Sequence, residues 1–303
     1  MKIVLAGASG VIGKALIPLL IEAKHEVVGL TRNPIYAAEL SRLGVQSEIV
    51  DVFDRETLFN VLRKTKPDTV MHQLTSLSAR NFADNARIRI EGTRNLVDAA
   101  REANVRRIVV QSISWAYSPG EGPATEDTPL DLEAPQPRKT TIEGVSALES
   151  AAIEIPEHVI LRYGLFYGDG TWYAPNGFMA KQVLQQQLPA TEGVSSFVHI
   201  DDAAHAALLA LEWPSGAFNI VDNEPAPGTE WLPVFADALG APAPAVEQKI
   251  GRGERGALND KALRHGWKPR YNSWRDGFQQ LFGSSFKSSQ KETRKLIHGG
   301  KFQ

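Results

Sequence analysis

The chain opens on Ile3-Val4-Leu5-Ala6, an apolar run with no polar alternation, the pattern of a strand buried on both faces. The run breaks at Gly7-Ala8-Ser9-Gly10-Val11-Ile12-Gly13, and over 14–23 the apolar residues recur at helical spacing. The same switch of period repeats along the first half. Strands are expected at 25–31, 46–50, 69–72 and 107–111, and helices at 35–43, 55–64 and 79–103. The regular alternation then stops. Residues 118–137 are rich in Pro, Gly, Glu and Asp, and a loop of that length after a strand reads as a substrate lid. A helix at 142–153, a buried strand at 158–162, an alanine-dense helix at 201–211 and a strand at 218–221 follow. Past Glu224, short helices and proline turns such as Ala241-Pro-Ala-Pro dominate.

Strands alternating with helices imply right-handed crossovers, and therefore an α/β fold with a Rossmann doubly wound parallel sheet. The expected division is a nucleotide-binding domain at 1–170 and 195–222, with a small, mainly helical C-terminal substrate lobe at 171–194 and 223–283. Residues 284–303 are polar and basic and read as a loosely held tail. Ligands in such a sheet sit beyond the carboxyl ends of the strands, where strand order reverses. That rim gathers Gly7 to Gly13, Arg32, Asp51, His72 to Thr75 and Gln111 to Ser114.

Composition narrows the chemistry. With 303 residues, a net charge of −2 and 43% apolar residues, the chain has the balance of an ordinary globular protein, with no pull toward nucleic acid or a membrane surface. No cysteine is present, which removes disulfides, thiolate catalysis and cysteine-ligated metals. Structure begins at residue three, leaving no room for a signal peptide, and no apolar run reaches the roughly 20 residues of a membrane span, so a cytoplasmic location is expected. The histidines and carboxylates show no metal-ligand spacing, and no metal is expected.

A strand, a glycine-rich turn and a helix N-terminus make a phosphate cradle. Gly7 permits the turn, Gly10 lets backbone approach a pyrophosphate, and Gly13 lets the helix pack on the sheet, with Ser9, Val11 and Ile12 completing the turn. At the end of the second strand, Leu30-Thr31-Arg32-Asn33 places a guanidinium where an NAD site has a carboxylate. Arginine pairs with a 2′-phosphate, so NADP(H) is expected ahead of NAD(H). Asp51, followed by Val52, is placed either to accept from the adenine amino group or to cap a helix. Gln73, Leu74, Gln111, Tyr163 and Gly164 are the further cofactor candidates. Thr75, Trp115, Thr141, Phe166 and Trp172 are the candidate substrate pocket, joined by Phe178 if the pocket is aromatic.

In order and spacing, several segments together resemble the extended short-chain dehydrogenases/reductases, the group of nucleotide-sugar epimerases and dehydratases, over roughly 1–282. They are Gly7 to Gly13, Val70-Met-His-Gln-Leu-Thr75, Glu91-Gly-Thr-Arg-Asn-Leu96, Leu161-Arg-Tyr-Gly-Leu-Phe-Tyr-Gly168, Phe197-Val-His-Ile-Asp-Asp202, Phe218-Asn-Ile220, Gly266-Trp-Lys-Pro269 and Trp274-Arg-Asp-Gly-Phe278. The resemblance implies the doubly wound fold, a nicotinamide cofactor and, by analogy, a homodimer. That family carries Tyr-x-x-x-Lys after the lid loop and a serine near the end of the fifth strand. Here the dyad aligns with Thr141 and Val145, so both side chains are absent and the chain is an atypical member. Ser112 or Ser114 stands where the family serine would hydrogen-bond the substrate oxygen. Tyr117 stands either as a replacement proton donor or as a packing aromatic, and Lys139 either contacts ribose or is solvated. A structural role is expected for His199, with Asp201 or Asp202 capping the helix that follows.

The resulting expectation is an NADPH-dependent oxidoreductase acting on a carbonyl or an activated double bond of a small molecule. Two alternatives stand beside it: a nucleotide-sugar epimerase or dehydratase, and a non-enzymatic NADP(H)-binding sensor.

Overall fold

The computed structural model describes residues 1–76 and 81–281. The expected helix start at 79 and the tail at 284–303 lie outside the described residues. The first half follows the predicted alternation: β1 (Lys2–Ala6), α1 (Val11–Glu22), β2 (Glu26–Thr31), α2 (Pro34–Arg42), β3 (Gln46–Ile49), α3 (Arg55–Thr65) and β4 (Thr69–His72). The long helix expected next is interrupted. α4 (Phe82–Arg87) passes through a π-helical turn (Ile88–Gly92) into α5 (Thr93–Glu102). Then come β5 (Arg107–Ile113), α6 (Arg138–Ala152), β6 (Glu157–Tyr163), β7 (Leu165–Tyr167) and α7 (Phe178–Leu184). Three short strands, β8 (Ala190–Thr191), β9 (Val194–Ser195) and β10 (Phe197–His199), lead to α8 (Ile200–Leu209) and β11 (Gly216–Ile220). β12 (Ala226–Pro227), α9 (Gly228–Ala238), β13 (Val246–Glu247) and α10 (Asp260–Arg264) follow.

Seven strands form one parallel sheet in the order β11-β6-β5-β4-β1-β2-β3. The chain walks outward from β1 to β3 and then returns to β4 on the other side of β1. The order therefore reverses between β1 and β4, and the carboxyl ends of these strands face a common crevice. Apolar side chains cover both faces. Ile3, Leu5 and Val109 pack with α1 and the alanines of α8, while Val4, Val28, Val70 and Val110 pack under α3, α5 and α6. The alanine density of α8 is explained: Ala203, Ala206, Ala207 and Ala210 let it lie close against the α1 side of the core. A third cluster of aromatics, including Tyr173, Phe197, Trp231, Phe235, Trp274 and Phe278, forms a separate core among the later elements.

The loop at 118–137 differs from the expected lid. Arg255 donates to the carbonyls of Ser118, Glu121 and Gly122, and Ala124 exchanges backbone hydrogen bonds with Gly256 and Leu258. Buried Asp131 is held by Arg138 at 2.8 Å and by Arg252 at 2.7 Å. The loop is stitched to a segment more than a hundred residues downstream, and none of it lines the crevice. The cap of α8 also differs: the Nδ1 of His199 accepts from the Asp201 N–H, while Asp202 reaches across to the N–H groups of Arg270 and Tyr271.

At the β1–α1 turn Gly7 has φ of 94°, and a Cβ there would lie 2.5 Å from the Gln73 carbonyl oxygen. At Gly13 a Cβ would collide with the carbonyls of Gly7 and Ala8. Gly13→Ala is therefore expected to force α1 away from the sheet and to lower stability by about 1–3 kcal/mol, read as a drop in thermal midpoint. An unchanged midpoint would show that the turn yields without cost.

Candidate active site

The crevice at the reversal of strand order is a cleft of about 1580 Å³. One end is built by the glycine turn and the second strand. Gly7, Ser9, Gly10, Val11 and Ile12 line it, and the cap residue of α1, Gly10, has no side chain to occupy the helix's first N–H groups. Gly13 is buried beneath the turn and does not line the cleft. Arg32 and Val52 line the same end, with the Arg32 side chain 66% exposed and 3.7 Å from Asp51. Asp51 stands behind the lining, where it accepts from the Phe53 N–H at 2.9 Å. Lys14 also reaches this end and lies over the Tyr36 ring.

In the middle, Gln73 and Leu74 follow β4. Gln73 is buried and lines the cleft, yet among the described residues neither its amide nitrogen nor its amide oxygen has a hydrogen-bond partner. An orphaned amide, a helix N-terminus and a turn that admits no Cβ together fit a dinucleotide. Just before Gln73, His72 is fully buried. The Leu74 N–H donates to its Nδ1, so Nε2 carries the ring proton toward Thr93, 2.9 Å away. Burial drives the His72 pKa down to about 4, assisted by the nearby Arg89 charge.

The other end comes from β5, α6 and β6. Gln111, Trp115, Thr141, Tyr163, Gly164 and Phe166 line it, and exposed Thr75 lies at its edge. Tyr163 turns its hydroxyl away toward the Ala203 carbonyl. Trp172 meets Phe82 at 6.4 Å and Phe178 at 6.0 Å, both edge-on, to make an aromatic wall. Among the described residues no cluster of three or more His, Asp or Glu side chains converges as a metal site would require.

The three residues expected to serve the substrate oxygen lie elsewhere. Side chains alternate along β5, so Gln111, Ile113 and Trp115 reach the cleft while Ser112 and Ser114 do not. Ser112 donates to Glu149 at 2.6 Å, and Glu149 is paired with Arg162 at 2.7 Å, all three buried. Tyr117 is fully buried in the same network, donating to Asn219 and accepting from Arg162 at 3.1 Å. Burial pushes its pKa up to about 12, against the opposing pull of Arg162. Tyr117 is thus a packing aromatic rather than a group over the cleft, and Lys139 is exposed beside Glu143. Ile113, at the end of β5, reaches the cleft and packs against Val145 of α6.

One group escaped the sequence reading. Arg89, in the π-helical turn, lines the cleft and is 3% exposed. Its signal was its position: Arg89 stands four residues before Thr93 and seven before Leu96, both fully buried, on the inward face of the helix.

The family model for the NAD dependent epimerase/dehydratase family matches residues 3–221. A 3-diazoavenalumate denitrifying reductase from a Streptomyces species is 41% identical, covering 91% of this chain and 99% of its own length. A 2-alkyl-3-oxoalkanoate reductase from Stenotrophomonas maltophilia is 28% identical over 80% of this chain and 77% of its own. The Thermus thermophilus UDP-glucose 4-epimerase, solved with NAD, is 26% identical, with a TM-score of 0.73 over 93% of this chain and 98% of that one. The chain belongs to the NAD dependent epimerase/dehydratase family, and it is an NAD(P)-dependent enzyme of the oxidoreductase type.

Two outcomes follow from the site. Tyr117→Phe is expected to lower stability by about 1–2 kcal/mol, because Asn219 and Arg162 lose a buried partner, while turnover stays within about twofold. Loss of turnover at unchanged stability would return Tyr117 to the chemistry. For His72, the unfolded chain binds a proton below the ordinary 6.5 that the folded chain refuses until about 4. Its contribution is therefore complete above pH 6.5 and is lost as pH falls toward 4, by at most about 1.4 kcal/mol per pH unit. Unfolding titrations of wild type and His72→Gln across that window should diverge accordingly, and parallel curves would contradict the burial argument.

Proposed function

We propose that this enzyme is an NADPH-dependent reductase of small aromatic or conjugated molecules whose acceptor takes a hydride without a proton from the protein. One observation supports the reading above others: the inner end of the cleft is walled by Gln111, Ile113, Trp115 and Thr141, while Ser112 and Tyr117 are locked in the Glu149–Arg162 network and Ser114 is buried away from the cleft. A threonine hydroxyl is too weak an acid to replace a tyrosine beside a lysine. Bound NADPH supplies the hydride. The chain's own part is to hold, orient and exclude water: the glycine turn and α1 would grip the pyrophosphate, Arg32 would pair with the 2′-phosphate, and the aromatic wall would align a flat substrate.

The name of the Streptomyces relative describes reductive loss of nitrogen from a diazo compound. Such chemistry suits a cleft in which, among the described residues, no tyrosine–lysine pair stands at the inner end. In an aryl diazonium a C–H bond forms with the hydride as the C–N bond breaks, and dinitrogen leaves with that bond's electron pair. No proton is consumed. A carbonyl or an activated double bond falls under the same reading when water entering from the mouth supplies the proton. Epimerisation and dehydration fit less well, since both move a substrate proton through a protein base.

The test is steady-state oxidation of NADPH and NADH against an aryl aldehyde, an aryl enone and an aryl diazonium salt, each over its uncatalysed background. NADPH preference that Arg32→Ala removes, at a cost of about tenfold to a hundredfold in NADPH affinity, is the expected result, with a rate independent of pH between about 6 and 9. A preference for NADH, or a rate that falls with one ionisation in that range, would overturn it.

A further inference from the structure

Resting on the reading of this cleft as a substrate site, we infer that Arg89 binds a carboxylate of the substrate, and that the enzyme's natural substrates are aromatic or conjugated carboxylic acids.

Arg89 is nearly fully buried, and its remaining surface opens on the cleft. Among the described residues it makes no hydrogen bond and no ion pair. The carboxylate whose charge reaches it is Glu149, and that group is already committed: Arg162 donates to both its oxygens, at 3.0 and 2.7 Å, and Ser112 donates at 2.6 Å. Burial lowers the Arg89 pKa to about 10, which leaves the side chain charged at neutral pH. A desolvated guanidinium requires a counter-charge as well as acceptors, and a planar carboxylate matches its fork. Neutral hydroxyls would satisfy the donors but not the charge.

The position excludes the phosphates as that counter-charge. Strand order puts Arg32 and the glycine turn at the β2–β1 end of the cleft. Arg89 instead packs beside α6: a Cβ built on Gly144 lies 3.5 Å from the Arg89 Cβ, one residue from Val145 and three from Thr141. Phe82, Trp172 and Phe178 line the same cleft, with Phe82 two helical turns before Arg89. Among the described residues Arg89 is the cation that lines the cleft beside α6, and one buried cation in a cleft lined by aromatic rings suits a flat monoanion rather than a sugar diphosphate. The π-helical turn supplies the placement, since its extra residue per turn re-aims the side chains it carries.

Binding separates this inference from the proposed reaction. Calorimetric titration of the intact protein, with and without NADP+, would use benzoate, cinnamate and 5-phenylpentadienoate, with cinnamamide as the neutral isostere and UDP as the diphosphate control. The expected result is an acid that binds at least about tenfold more tightly than cinnamamide. Arg89→Gln should remove that difference, Arg89→Lys should retain part of it, and both should bind NADPH within about twofold of wild type. Equal binding of acid and amide, no binding by any of the acids, stronger binding of UDP, or a matching loss of NADPH affinity in both variants would each overturn the assignment. Failure of turnover with the acid preference intact would instead remove the proposed reaction and leave the anchor standing.

Discussion

The buried pair of Glu149 and Arg162 decides how the carboxyl end of the sheet is used. The pair joins α6 to β6, takes Ser112 from β5 through its hydroxyl, and extends through Tyr117 to Asn219 of β11. Two charges this far from water are tolerable only when their remaining donors and acceptors are met, and here nearly every partner is a neighbouring strand or helix. Removal of either charge would cost about 3–5 kcal/mol, because the other would remain buried and alone. Such a network cannot be dismantled one residue at a time. It therefore fixes which side chains of β5 are spent on structure, and by alternation which ones face the ligand: Gln111, Ile113 and Trp115.

The same commitment creates the electrostatic asymmetry of the cleft. Glu149 accepts from Arg162 through both oxygens and from Ser112, and it accepts nothing from Arg89. Hence, among the described residues, the inner end of the cleft keeps a positive charge with no ion-pair partner, near the apolar pair Ile113 and Val145, in a cleft also lined by aromatic rings. Coulombic attraction is strengthened in such surroundings, since there is little water to screen it. At the outer end Arg32 and Lys14 are exposed, so an anion there would be screened by solvent. The two ends thus offer different settings for an anion, one exposed and one desolvated.

Much of the fold was legible because its signals are local and repeated. Gly7 to Gly13, the apolar runs of β1, β4 and β5, and the alanines of α8 each have one good structural solution, and the order of strands and helices leaves few topologies. The site was harder, for a physical reason. The run Gln111-Ser-Ile-Ser-Trp115 offers polar atoms on one phase and larger surfaces on the other, and a one-residue shift exchanges their faces. Which phase faces the ligand is settled by Glu149, far along the chain from Ile113. Arg89 lay hidden because its buried phase is clear only once the helix and its π turn are placed. The loop at 118–137 carried every sign of irregular backbone, but the arginines that pin it, Arg252 and Arg255, lie in a different part of the chain.

That pinned loop bears on how such a site can work. A lid that opens and closes is useful when the protein must assemble a proton donor around the substrate. Here the segment after β5 is tied by Asp131 and Arg138 to α6 and by Arg252 and Arg255 to the downstream chain, while the third aromatic cluster packs Tyr173 next to the wall formed by Trp172 and Phe178. Ion pairs and ring contacts fasten this segment behind the cleft. Under the proposed reaction, in which the acceptor takes no proton from the protein, the protein's share of the barrier would be orientation, which a fixed wall supplies. On that proposal the absence of the Tyr-x-x-x-Lys pair and the fastening of the loop would belong together.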